Sequence, residues 1–225
     1  MIGTIANVTT IIIGCMLGSL FKKGINPKYQ DALYNAMGLA ALGLGINAVA
    51  NNLSESVYPV LFIASLAIGS LLGSIVDFDA RFNNLVGKFS KTNLGEGLST
   101  AIMLFCIGAF SILGPMRAAL LDDYTYLFTN ATLDLVTSFV LASTYGIGII
   151  FSAGFLLCWQ GGIYLFASQL EPFLTGDLLT EIMIVGGFLI MASGLSILNI
   201  KKIKTMNILP ALFIPPIWFI IVSLV

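Results

Sequence analysis

The chain has 225 residues, of which 58% are hydrophobic and 9% charged, with a formal net charge of −1; soluble domains carry about 25% charged residues. This composition excludes a soluble globular protein and describes an integral membrane protein with no loop long enough to fold by itself. A near-neutral chain without a basic cluster interleaved with aromatics offers nothing to nucleic acid. The absence of histidine removes the commonest metal ligand and the usual general base. The expectation is therefore no enzyme, no metal centre and no cofactor.

Uncharged stretches of spanning length run over 1–21, 32–52, 57–76, 97–115, 145–167, 182–200 and 207–225. The first has its positive charges, Lys22 and Lys23, behind it rather than in front. That order favours a retained helix with its N-terminus outside over a signal peptide. Its Asn7, Thr9 and Thr10 lie at a depth where polar groups need partners; Asn7 suits either a solute or a bond to another helix. Gly14 and Gly18, like Gly69 and Gly73 further on, are spaced for close helix approach, within a bundle or across a homodimer seam. The fourth stretch carries Cys106 and then Gly114-Pro115, a pair expected to stop or kink the helix. Carbonyls freed there could face a cation, or the pair could simply turn the chain at the interface.

Segment 125–143 is the exceptional one. It contains Asp134, the sole charge between Asp123 and Glu171. A carboxylate at membrane depth costs at least about 2.5 kcal/mol, so it needs a partner or a cavity. Asn130, Asp134, Thr137 and Ser138 fall on one helical face, and Leu133, Val136, Phe139 and Val140 on the other. The first face suits water, an ion or a polar solute; the second suits lipid or packed helices. In the next stretch Ser152 and Gln160 share a face, and Trp159-Gln160 reads equally as part of a polar site or as an interfacial marker. The last stretch holds Asn207, Pro210, Pro215 and Pro216 and is expected to be the most interrupted helix. Cys15, Cys106 and Cys158 read as buried small hydrophobes. Asp77, Asp79 and Arg81 read as a solvated ion-pair cluster. Asp122-Asp123 and the group Glu171, Asp177, Glu181 read as external and solvated, at most a weak divalent-cation site.

Charge sorting sets the expected topology. If 125–143 crosses, there are eight spans. Lys22, Lys23, Lys28, Arg81, Lys88, Lys91, Lys201, Lys202 and Lys204 then share the cytoplasmic side, leaving Arg117 outside. If it does not cross, there are seven, and the last lysines become external. The first count obeys the positive-inside rule, with both termini outside. Gly38 and Gly45 are echoed by Gly187 and Gly194, and Pro59-Val60-Leu61-Phe62-Ile63 by Pro210-Ala211-Leu212-Phe213-Ile214. The expected fold is thus an all-α polytopic membrane protein of about eight transmembrane helices in a single domain. A three-helix inverted repeat, helices 1–3 (1–76) and 6–8 (145–225), would flank a central segment, 97–143.

Gly3-Thr4-Ile5-Ala6-Asn7, Leu104-Phe105-Cys106-Ile107-Gly108-Ala109, Leu133-Asp134, Phe151-Ser152, Gln160-Gly161 and Asn207-Ile208-Leu209-Pro210-Ala211-Leu212 together resemble the YdfK/YqgA-like bacterial inner-membrane proteins, a family of unknown function (DUF554). The resemblance covers nearly the whole chain, in the family's order. A glycine often follows the Leu-Asp pair in that family; Leu135 stands there here. The resemblance implies a multi-pass protein of the bacterial inner membrane and names no substrate. The residues themselves point to a transporter or channel for an ion or small polar solute. Asp134 would bind a cation or carry a proton, and Asn7, Asn130, Thr137, Ser138, Ser152, Gln160 and Asn207 would supply further contacts. The competing expectation is a structural or regulatory membrane protein in which Asp134 ties helices together. Lipid, the solute and a second copy of the chain are the expected partners.

Overall fold

The computed structural model describes residues 1–20, 26–87, 93–107, 109–170 and 176–223. Lys22, Lys23, Lys88, Lys91, Gly108 and Glu171, which figure in the expectations above, lie outside them. Among the described residues 88% are helical and none is in a strand. The helices are α1 (Ile2–Ser19), α2 (Pro27–Leu53), α3 (Leu61–Val76), α4 (Phe78–Gly87), α5 (Asn93–Ile107), α6 (Ala109–Leu120) and α7 (Thr125–Tyr145), then α8 (Ser152–Leu170), α9 (Gly176–Ile197), α10 (Thr205–Ile208) and α11 (Ile214–Ser223). Short 3-10 stretches, Ile147–Phe151 and Leu209–Phe213, lead into α8 and α11.

Five of these are long and apolar enough to cross a membrane: α1, α2, the run Ile147–Gln169, α9 and the run Thr205–Ser223. A sixth exists if Thr100–Cys106 and Ala109–Leu120, bent by 44° from each other, count as one span. Two of the expected eight helices fall short of this length-and-composition measure, each for its own reason. At 1.5 Å per residue, the 16 residues of α3 reach only about 24 Å, against a hydrocarbon core of about 30 Å. The 21 residues of α7 are long enough, but their hydroxyls, amide and carboxylate dilute the apolar character. The expected break at Gly114-Pro115 does not occur: α6 continues through Pro115 to Leu120, and the bend comes before Ala109. Neighbouring helices commonly re-satisfy the carbonyl that a proline frees in a membrane helix. The last span is interrupted as expected, with Pro210 opening a 3-10 stretch and Pro215 in the first turn of α11.

The chain forms two compact units, one from 1–34 and 82–171, the other from 35–81 and 172–225. Each draws its helices from distant parts of the sequence, across the limits of the proposed repeats.

In the first unit α1 lies against α7. A Cβ on Gly3 would strike Leu127, one on Gly14 would strike Ser138 and the Leu135 carbonyl, and one on Gly18 the Phe139 carbonyl. The contacts ascend together, so the two helices run parallel. Gly97 packs in the same way against Tyr145 and Ile149, and Gly114 against Leu127, so α5 and α6 cover further sides of α7. The core joins Ile11 and Cys15 of α1 to Phe105 of α5, Leu141 of α7 and Leu156 of α8. This sheath changes the expected two-faced character of α7. Leu133 and Val140 are buried too, so the apolar face meets other helices.

In the second unit the echoed glycines pack on each other. A Cβ on Gly45 would strike the Gly187 carbonyl, and one on Gly194 would approach the Gly38 carbonyl, so α2 and α9 run antiparallel. Gly69 and Gly73 of α3 receive Ala211 and Asn207. Both small-residue pairs that could have marked a homodimer seam are thus filled by the chain's own helices. Phe62 stacks on Phe188 at 4.9 Å between centroids, and Tyr58 meets Trp218 and Phe219 edge-on.

Gly18→Val should therefore lower thermal stability in detergent, because the Phe139 backbone cannot retreat; overpacking of this kind costs about 1–3 kcal/mol. Gly154→Ala, with no atom within 4 Å of the new methyl, should hold or raise the unfolding midpoint. A thermal melt of both variants beside the wild type checks the pair.

Candidate functional site

Asp134 sits in the middle of α7, and only 4% of it is exposed. Its Oδ2 accepts two hydrogen bonds, from Asn7 Nδ2 of α1 at 2.9 Å and from Asn130 Nδ2 one turn earlier at 2.9 Å. Neither of the ion pairs found among the described residues involves it. The carboxylate is therefore held by neutral amides in a sheathed helix. The i,i+4 spacing delivers Asn130. The close approach at Gly14 and Gly18 delivers Asn7 from across the unit.

The other predicted residues divide. Thr137 and Ser138 are buried on the Asp134 face but give their hydroxyls to the Leu133 and Leu135 carbonyls. Ser152 does the same with Ile149. Gln160 is fully buried, and its Nε2 donates to Ser111 Oγ of α6 at 3.2 Å; it is an interior residue, not an interfacial marker. Its Oε1 has no partner, nor have Asn7 Oδ1 and Thr4 Oγ1. Thr4 and Ser111 were missed by sequence reasoning. Thr4 is three residues before Asn7 and so on its face, which was the available signal.

Asn207 belongs to the second unit and does not join Asp134. Its Nδ2 donates to Asp77 Oδ1 at 3.1 Å and its Oδ1 accepts from the Asp79 amide at 2.8 Å. Asp77, in the left-handed region at φ 49°, ends α3 and also receives Lys204 Nζ at 3.3 Å. The Asp77 side chain reaches solvent as expected, but it pairs with Asn207 and Lys204, and Arg81 Nε donates to the Val76 carbonyl. At the opposite end of the unit Glu181 is 1% exposed, not solvated as expected. Its Oε1 accepts Ser56 Oγ at 2.6 Å and the Tyr58 amide at 3.0 Å. A carboxylate in the opening turns of α9 reads from sequence as interfacial; the fold of the α2–α3 turn over it was not legible. Asp177 is exposed, as expected. Asp123 pairs with Arg117 at 2.6 Å, and the guanidinium lies over the Tyr126 ring. Cys158 is exposed, unlike Cys15 and Cys106. Among the described residues no three His, Cys, Asp or Glu side chains converge as metal ligands.

The Asn207 hydrogen bond, followed by those from the Ala80 amide and Lys204, holds the Asp77 carboxyl below its ordinary range. A depressed value stabilises the folded state above the unfolded pKa of about 3.9 and is lost as pH falls through the folded value. The Asp77 contribution should therefore be constant from neutral pH to about pH 4 and fade below it. Melts of the wild type and Asp77→Asn across that range should converge in acid.

The chain matches a family model described as "Protein of unknown function (DUF554)" over residues 2–220. It is 61% identical over 217 residues to the "Uncharacterized membrane protein YdfK" of Bacillus subtilis (strain 168), covering 96% of this chain and 95% of the relative. It is 27% identical over 224 residues to the "Uncharacterized protein YqgA" of Escherichia coli (strain K12), covering 95% and 94%. No solved structure matches it.

Proposed function

This chain belongs to the DUF554 family, and we propose that it is a transporter or channel of the bacterial inner membrane, rather than an enzyme, for an ion or small polar solute. The observation that carries this reading is the buried Asp134 carboxylate, held by Asn7 and Asn130 without a cationic partner. A tether between helices needs only a hydrogen bond, which an asparagine supplies without the cost of burying a charge. Intramembrane carboxylates facing a protein interior typically mark ion and proton paths. Asn7 and Asn130 hold the carboxylate, Gln160 with Ser111 offers a second polar station in the same unit, and Thr137, Ser138 and Ser152 line the interior around them.

The eight-crossing topology, with both termini outside, belongs to this reading. The parallel run of α1 and α7 supports it, since a partner in register with a spanning helix spans as well. Parity adds to that support. Asp77 and Lys204 meet at one end of the second unit, and a meeting on one membrane face needs an even number of crossings between them. The α5–α6 pair, α7, α8 and α9 supply four; without α7 there are three. The reciprocal glycine contacts of α2 with α9 are what an inverted repeat produces, and they support such a repeat for helices 2–3 and 7–8. Cysteines placed at Asp79 and Lys202 should label from the cytoplasm and one at Asp177 from outside. Opposite-side labelling of Asp79 and Lys202 would end the eight-span model.

The second reading is a structural or regulatory protein without transport. It is favoured by one fact: the Asn7–Asp134 bond joins α1 to α7 directly. Solute and ion flux in proteoliposomes decides between the two. Asp134→Asn should remain folded and lose coupled flux, because the amide keeps the shape and cannot titrate or bind a cation as a charge. Undiminished flux in a well-folded Asp134→Asn protein removes the role assigned to this residue.

A further inference from the structure

The hydrogen bonds of Asp134 leave two neighbouring oxygens unexplained. Asn7 gives its amide nitrogen to Asp134 Oδ2, so the Oδ1 on the same amide carbon also lies beside the carboxylate. That oxygen is buried and accepts nothing. Thr4 Oγ1, on the same face of α1, is likewise buried without a partner. Both residues are 0% exposed. Thr9, Thr10, Thr137 and Ser138 return their hydroxyls to a carbonyl three or four residues back; Thr4, in the first turn of α1, has no residue four back to return to. A buried polar atom left unsatisfied carries the full cost of its desolvation; one of these oxygens is on the amide that touches the carboxylate and the other lies one turn away on the same face of α1.

We propose that Asp134, Asn7 and Thr4 form the binding site for a dehydrated alkali-metal cation, held by the Asp134 carboxylate, Asn7 Oδ1 and Thr4 Oγ1. The proposal names the ion class of the transport reading and rests on it for the site's purpose, not for its existence. The donors are all oxygens, the ligands of hard cations. A transition metal has no ligand set, because no three His, Cys, Asp or Glu side chains converge among the described residues. The single carboxylate balances one positive charge; a divalent ion would leave an uncompensated charge in the interior. A proton would turn Asp134 into a single O–H donor, enough for one of the two oxygens but not for both Asn7 Oδ1 and Thr4 Oγ1. Asn130 donates to the same carboxylate oxygen and positions it; unlike Asn7, its own oxygen is not among the buried atoms left without a partner.

The test uses the full chain in detergent. Its thermal unfolding is followed in sodium, lithium, potassium or N-methyl-D-glucamine chloride at equal ionic strength and neutral pH. Binding to the folded state raises the midpoint saturably with ion concentration, so at least one alkali cation should do so and the organic cation should not. Thr4→Val keeps the shape and should weaken the apparent affinity by about tenfold or more, while its midpoint in N-methyl-D-glucamine rises because a buried unpaired hydroxyl is gone. Asp134→Asn should abolish the ion dependence. Should Asp134→Asn fail to fold, radioactive sodium binding to the Thr4→Val protein provides the same comparison. Equal midpoints in all four salts, a midpoint that responds to pH alone, or an alkali effect unchanged in Asp134→Asn and Thr4→Val would each overturn the site. Solute flux without any alkali dependence would overturn the site and leave transport standing; cation binding without flux would do the reverse.

Discussion

A carboxylate in the middle of a membrane protein's helix has to be shielded by its neighbours, and in the first unit α1 does this. Gly14 and Gly18 bring the α1 backbone onto residues 135–139 of α7. At that separation an asparagine side chain, short as it is, reaches across to Asp134. Any side chain larger than hydrogen at those glycines would hold the helices apart and put Asn7 out of range. The polar site and the small-residue seam are therefore one construction, and the core of Ile11, Cys15, Phe105 and Leu141 closes over it. The polarity of α7, which sets it apart from the hydrophobic spans, is tolerable because α1, α5 and α6 pack along its sides.

The second unit handles the same difficulty with different parts. Gly38 and Gly45 mate with Gly194 and Gly187, and Gly69 and Gly73 admit the interrupted last span. The broken geometry of that span has a definite cause. Pro210 and Pro215 remove amide donors, and the polar lock of Asn207 with Asp77 and the Asp79 amide fixes the near end. At the far end Glu181 gathers Ser56 and the Tyr58 amide beneath Trp218 and Phe219. In both units a small-residue seam sets helix separation, and a carboxylate with neutral donors sets register.

What the sequence displayed was local periodicity. The i,i+4 relation of Asn130 and Asp134, the close-packing glycines and the proline interruption of the last span are all visible within one or two helical turns, and they appear in the structure. What it concealed was partner choice over long separations. Asn7 could have faced a solute or any helix, and only the fold pairs it with α7. Glu181 looked solvated because the turn that covers it lies 125 positions earlier. Length and hydropathy alone leave α3 and α7 out of the count, and for α7 the reason is instructive: hydropathy measures suitability for lipid, and much of α7 is buried against other helices. The glycine echo was read as two copies of one helix, whereas the two copies are also each other's contact surface.

The long separations carry a consequence for how the chain is made. Asn7 precedes Asp134 by 127 positions, and Ser56 precedes Glu181 by 125. At about 5–20 residues per second, the earlier partner of each pair waits roughly 6–25 s for the later one. In both pairs the waiting group is neutral, an amide or a hydroxyl, which a bilayer tolerates at modest cost. The carboxylate, which a bilayer tolerates poorly, is synthesised last and finds its donors already in place. Reversing the order of Asn7 and Asp134 would preserve the finished contact and expose the nascent chain to its most hazardous intermediate, a lone acid in lipid awaiting a helix not yet made.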